Sequence, residues 1–165
     1  MPYLLAAGAA WALCVLPAAA APGDTLLFDD FDDGPACDSL SPTWTVSDTN
    51  LSGTSTQTSN SGSCSAFTRG DVVTITGPVI DLSAVTGATL TAWLRQGQDT
   101  FSEDVDAGED FVFEYLDATS TWVAIQTLLG SGPNGEVTNV SLDLPAGALH
   151  ANFQLRFRQT GGSGG

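Results

Sequence analysis

Lysine is absent from this 165-residue chain, arginine occurs four times and histidine once, against 19 aspartate and glutamate side chains. The formal net charge of -15 argues against nucleic acid and against direct binding to anionic lipid, since both partners need clustered Lys or Arg to release counterions. The Gly-x-Ser-x-Gly spelling occurs only within the glycine-rich run Gly161–Gly165, and a nucleophile–imidazole pair would have only His150 to draw on. His150 stands in Pro145-Ala-Gly-Ala-Leu-His150-Ala, a turn-like stretch before a strand pattern. A structural or surface role fits it better than that of a general base. Gly130-Ser-Gly-Pro-Asn-Gly135 spells G-x-G-x-x-G but stands between two strand patterns, where a phosphate-cradling loop would open a helix, and zinc-ligand spacings are missing. Two carboxylates suffice for a glycosidase, but among 19 acidic residues some pair is inevitable, so such a match distinguishes nothing. Helical periodicity is lacking too: beyond the first 21 residues no stretch holds an apolar 3.6-residue period for ten residues. The chain reads as a non-enzyme.

Charge is missing altogether from Met1–Ala21, which is dominated by Leu, Ala, Val and Trp and closes on Pro17-Ala-Ala-Ala-Ala21-Pro22. Small residues after an apolar run are what signal peptidase cuts, and a spanning helix needs about 20 strongly apolar residues. The expectation is a cleaved leader over residues 1–21, although the Lys or Arg usual near the start is absent. One domain over residues 22–165 then follows, located in the periplasm, on the cell surface or in the medium. Cys14 follows Leu13, where a lipobox needs a small residue, so lipidation is not expected. With Cys14 removed, Cys37 and Cys64 remain, and an even pair in an exported chain reads as a disulfide. Free thiols or a metal pair are the alternative, but no His or Cys stands nearby to complete a metal site. Closing a loop of about 28 residues would stabilise the fold by roughly 3–4 kcal/mol in the chain-entropy picture.

What is present is a series of short β-rich runs separated by Gly, Ser, Asn, Asp and Pro clusters. The runs are Thr25–Phe31, Trp44–Ser47, Val72–Asp81, Ala88–Arg95, Phe111–Leu116, Trp122–Leu128, Val137–Leu144 and Asn152–Gln159. Phe153, Leu155 and Phe157 share one face, with Asn152, Gln154, Arg156 and Arg158 on the other. Phe111–Leu116 is apolar on nearly both sides. The fold class is all-β, an antiparallel β-sandwich. Leu51–Ser65 is almost wholly Ser, Thr, Gly, Asn and Gln and reads as a long surface loop tied down by Cys64. Asp117–Trp122 and Gly130–Gly135 read as turns. The chain stops in Gly161-Gly-Ser-Gly-Gly165 directly after a strong strand, leading us to expect that a further strand is lost by truncation.

Two acidic stretches are candidate metal sites. In Asp29-Asp30-Phe31-Asp32-Asp33-Gly34 an extended backbone sets Asp30 and Asp32 on one side and Asp29 and Asp33 on the other. Two carboxylates about 5–7 Å apart repel by roughly 2–3 kcal/mol at an effective dielectric near 20. A Ca²⁺ ion, which accepts irregular oxygen cages, would relieve that cost. The second stretch runs from Asp99 to Asp110, with Asp104, Asp106, Glu109 and Asp110 as candidate ligands. It departs from an EF-hand, whose sixth and twelfth positions would be Gly and Glu; here they are Glu109 and Tyr115. For both stretches a solvated acidic rim is the competing reading. Trp44, Trp93 and Trp122 sit in or beside strands, either as core or as a sugar-stacking platform. Arg95, Arg156 and Arg158 lie on outward faces and are expected to pair with the acidic loops.

Ile80-Asp-Leu-Ser83, Ala88-Thr-Leu-Thr-Ala-Trp-Leu-Arg95, Gly108-Glu-Asp110, Val112-Phe-Glu-Tyr-Leu-Asp117 and Leu149-His-Ala-Asn-Phe-Gln-Leu-Arg-Phe-Arg-Gln-Thr160-Gly-Gly-Ser together carry a resemblance. The pattern resembles the N-terminal domain of MshQ-type bacterial surface proteins, associated with biogenesis of the mannose-sensitive haemagglutinin pilus, and is similar to MAM and reelin-type jelly rolls. The resemblance spans roughly Leu26 to Gly165. It implies a jelly roll of concanavalin A-like or MAM-like type at the cell surface, engaged in adhesion or pilus-related assembly without catalysis. It also implies calcium between the Asp29–Asp33 stretch and an Asp-Asp pair on a final strand, which this sequence lacks. The expected partner is a surface protein or a glycan. A carbohydrate-binding module of a secreted enzyme is the alternative function, with a hydrolase on a lectin-like sandwich behind it.

Overall fold

The computed structural model describes residues 21, 23–32, 37, 39–40, 42–97, 104–132 and 135–162. The expected leader, apart from Ala21, lies outside the described residues, as do Asp33, Asp99–Glu103 and the final Ser163–Gly165 part of the glycine-rich end.

The described residues form nine strands: β1 (Thr45–Val46), β2 (Ser52–Ser55), β3 (Ser65–Thr68), β4 (Val73–Thr76), β5 (Thr89–Arg95), β6 (Phe111–Leu116), β7 (Trp122–Leu128), β8 (Val137–Asp143) and β9 (Leu155–Gln159). Five of them build one antiparallel sheet in the order β1-β4-β9-β6-β7, while β2 pairs with β3 and β5 with β8. The expected antiparallel β-sandwich is what forms. The central placement of β6 and β9 follows from their sequences, since strands flanked on both sides favour aromatic and β-branched residues.

Register separates the two faces of the five-stranded sheet. Ile75, Phe157 and Phe113 lie in one row, as do Tyr115 and Leu155, and these point inward. Thr74 with Arg158, and Thr76 with Arg156 and Glu114, form the outward rows. Inside, Leu82, Tyr115, Ala148, Phe153 and Leu155 make one core cluster, against which Leu90 of β5 packs. Leu40, Trp44 and Ile75 make a second, covered by Leu27, Phe31, Val46 and Ala66. Phe157 touches both clusters and stands 5.5 Å from Trp44, 5.4 Å from Phe113 and 6.0 Å from Phe111, centroid to centroid. It joins the two halves of the core.

Three local expectations are corrected. Among the described residues Thr25–Phe31 pairs with no strand. Asp29 Oδ1 accepts the amide of Phe31 at 2.8 Å and Asp30 Oδ1 that of Asp32 at 3.3 Å. Phe31 adopts φ 62°, so the aspartates divert the backbone from any ladder. Leu51–Ser65 is not one long open loop, because Ser52–Ser55 pairs residue for residue with Ser65–Thr68. Backbone hydrogen bonds and one buried hydroxyl, Ser52 Oγ donating to Asp48 O at 2.6 Å, hold that pair without a large apolar contribution. Val72–Asp81 is shorter than expected: Pro78 lacks the N–H a ladder requires, and beyond Thr76 the Gly77 amide donating to Leu155 O and an Ile80–Phe153 bridge continue the pairing. The Asp117 turn is confirmed, with Asp117 Oδ1 accepting the amides of Thr119 and Thr121.

Candidate functional site

The first acidic stretch is woven into the fold rather than standing as a rim. Asp29 Oδ2 accepts the indole N–H of Trp44 at 2.6 Å, and Asp32 Oδ2 accepts the amide of Ser63 at 2.8 Å, next to Cys64. Gly62 has φ +58°, and a Cβ there would collide with the Asp32 carboxylate, so this approach requires glycine. The expected disulfide joins Cys37 to Cys64 with Cα atoms 5.4 Å apart, and Cys64 is buried. Three ties therefore hold the N-terminal segment against the second core cluster.

The described part of the second stretch performs a similar task at the other end of β6. Asp106 and Glu109 close a tight turn, with the Asp106 amide donating to Glu109 Oε2 at 2.8 Å and the Glu109 amide to Asp106 O at 3.0 Å. Asp110 Oδ1 accepts the amide of Gly130 at 3.0 Å, and the Asp110 amide donates to Thr160 Oγ1, which itself donates to Gly108 O. Asp104 is exposed. Among the described residues no three His, Cys, Asp or Glu side chains are gathered as a metal would need. The described carboxylates alone do not make a calcium cage, and Asp33 lies outside them.

The outward face of the large sheet carries a cluster that sequence spacing did not reveal. Glu114, 5% exposed, lies between two arginines. Arg156 donates through Nε at 2.7 Å and Nη2 at 2.6 Å to Glu114 Oε2, and Arg158 through Nη2 at 2.8 Å to Oε1. Burial pushes the Glu114 carboxyl up, but hydrogen bonds from Arg158 and Arg156, with their charges, hold it below the ordinary range. The reciprocal bond from Glu114 raises Arg158. The Arg156 guanidinium also covers the Trp122 ring at 4.1 Å. These arginines thus pair with Glu114 on the neighbouring strand, not with acidic loops as expected. Register alone foretells it, since Glu114 and Arg156 are direct cross-strand partners.

His150 has both ring nitrogens engaged with backbone. Nδ1 accepts the amide of Asn152 at 3.2 Å, which puts the proton on Nε2, and Nε2 donates to Leu116 O at 2.9 Å. Of the three candidate stacking tryptophans, Trp44 is core at 5% exposure and Trp122 lies beneath Arg156. Trp93 alone of the three sits on the outward row of the β5–β8 pair, opposite exposed Asn139.

Compared with models of known protein families and with curated proteins, the chain finds no match.

Proposed function

We propose that this chain is an exported binding module, a jelly roll that adheres to or assembles with a surface protein or glycan outside the cytoplasm and performs no turnover. The observation that carries this reading is the engagement of its chemically capable groups. Glu114 is neutralised between Arg156 and Arg158, and His150 is locked to Leu116 O and the Asn152 amide. A general acid or base must be free to exchange a proton with a ligand, and these two exchange hydrogen bonds with their own fold. The Cys37–Cys64 bond supports an oxidising compartment, and among the described residues no helix is long and apolar enough to cross a membrane. The surface charge of -15 favours solubility and steers the module away from anionic surfaces. No part of this reading depends on a bound cation. Pilus-related assembly is the cell-biological setting that the resemblance suggests.

The test is binding of the labelled, oxidised protein to intact cells and to a glycan array. Saturable binding that unlabelled protein displaces is the expected result. Binding that never saturates, or that the reduced and unfolded protein shows equally, overturns the proposal.

A further inference from the structure

We infer that the outward face of the β5–β8 pair binds a neutral oligosaccharide, with Trp93 as the stacking surface. This rests on the binding-module reading and supplies the class of its ligand.

The face is defined by register. Thr89, Thr91, Trp93 and Arg95 of β5 stand directly opposite Asp143, Ser141, Asn139 and Val137 of β8. The alternate residues Leu90, Ala92, Val140 and Leu142 turn the other way, with Val140 buried and Leu90 packed on the first core cluster. Thr91, Asn139 and Ser141 are exposed, so the row opens to solvent. Trp93 is half-buried, and among the described residues its indole makes no hydrogen bond and no ring contact. The contrast is with Trp44, bonded to Asp29 and stacked on Phe157, and Trp122, covered by Arg156. Folding therefore leaves a large, half-buried aromatic on a polar outward row with its N–H free of hydrogen bonds, the kind of side chain that serves as a contact anchor.

Its neighbours determine what it can hold. Directly opposite side chains in a sheet have Cβ atoms about 4.5–5.5 Å apart, and diagonal ones about 7–8 Å. The Asn139 amide, which both donates and accepts, and the hydroxyls of Thr91 and Ser141 thus surround the ring at the distance of a pyranose rim. A pyranose offers a C–H face to the negative face of an indole and hydroxyls at its edge. Among the described residues Arg95 and Asp143 are the ionised groups of the face, and they stand at its opposite ends, while Thr91, Asn139 and Ser141 between them are uncharged, which suits a neutral ligand. Apart from Trp93 only Val137 is apolar on its solvent side, too little for a protein interface core. Seven residues of strand extend about 20 Å, enough for several sugar units in line.

The experiment uses the oxidised chain made in bacteria, so that Asn139 in Asn139-Val-Ser141 stays unmodified. It is titrated with neutral hexasaccharides of glucose, mannose, galactose and N-acetylglucosamine up to about 10 mM, a range that detects affinities as weak as about -3 to -4 kcal/mol. Tryptophan emission and calorimetry are the readouts. At least one sugar is expected to bind saturably. W93A should weaken it at least about tenfold (about 1.4 kcal/mol) and N139A severalfold, while W122F binds as the parent does. The N139A arm keeps the test decisive if W93A fails to fold. Absence of binding by all four sugars, or binding that N139A and a folded W93A leave intact, overturns the inference. Saturable binding to a surface protein with no sugar binding would retain the module and remove the glycan.

Discussion

Asp29 spends one carboxylate oxygen on the indole of Trp44 and the other on the amide of Phe31, and this accounts for an acidic residue beside an aromatic core. Leaving half-buried donors without an acceptor costs about 1–3 kcal/mol. D29A is therefore expected to lower urea stability by about 2 kcal/mol, with a coupling to W44F of about 1 kcal/mol in a double-mutant cycle. Strict additivity of the two would contradict the bond. Glu114 carries a pH signature. Its folded pKa lies below its unfolded value, so its ion pairs contribute fully above the ordinary glutamate range and are lost as pH falls through the folded value. E114Q should accordingly destabilise at neutral pH, by about 1–3 kcal/mol because both guanidiniums reach solvent, and the deficit against the parent should shrink below about pH 4. A constant deficit from pH 7 to pH 3 would place the effect in packing alone. Neither pairing was legible beforehand. Trp44 lies 15 residues from Asp29, and Arg156 and Arg158 lie 42 and 44 from Glu114, distances at which composition and period carry no pairing signal.

Strands were legible wherever period two and β-branched or aromatic residues coincide, as in β4 and β9. Side-chain alternation is a local property, and the burial of Val73, Ile75 and Leu155 follows it. Thr25–Phe31 defeated the same logic because its aspartates compete for its own amides. Ser52–Ser55 and Ser65–Thr68 escaped it because their ladder is built from backbone bonds, which apolar counting does not see. The Cys37–Cys64 bond closes a separation of 27 residues across this part of the molecule. Reducing it is expected to cost roughly 3–4 kcal/mol, lowering the thermal midpoint by about 10 °C. A midpoint unmoved by reductant would mean that the hydrogen bonds of Asp29 and Asp32 hold the segment unaided. The same segment provides the calcium test. With both Asp29 oxygens and Asp32 Oδ2 already accepting N–H donors, millimolar calcium against chelator should shift the midpoint by less than about 2 °C, whereas a ligand at ten times its Kd would add about 1.4 kcal/mol. A rise of several degrees would bring a cation, and Asp33 with it, into the structure's stability.

At the scale of the molecule, Phe157 packs on both core clusters within a group of aromatic rings, and the ionised groups divide into ties and surface charge. Phe113, 1% exposed and in edge-to-face contact with Phe157, belongs to this junction, and F113A should cost about 3–5 kcal/mol. A far smaller loss would show the two clusters folding independently. Cross-strand partners position Glu114, while turns position His150 and Asp110. All three groups hold structure, and on the proposed reading recognition falls to the outward faces. The most direct test of that division is the mass of ligand recovered from the immobilised, oxidised protein after overnight contact with its bound surface glycans or proteins. The expected result is ligand eluted at its original mass, with none shortened. Recovery of hydrolysed or otherwise altered ligand, lost again in E114Q or in a His150→Gln variant that remains folded, would contradict the account.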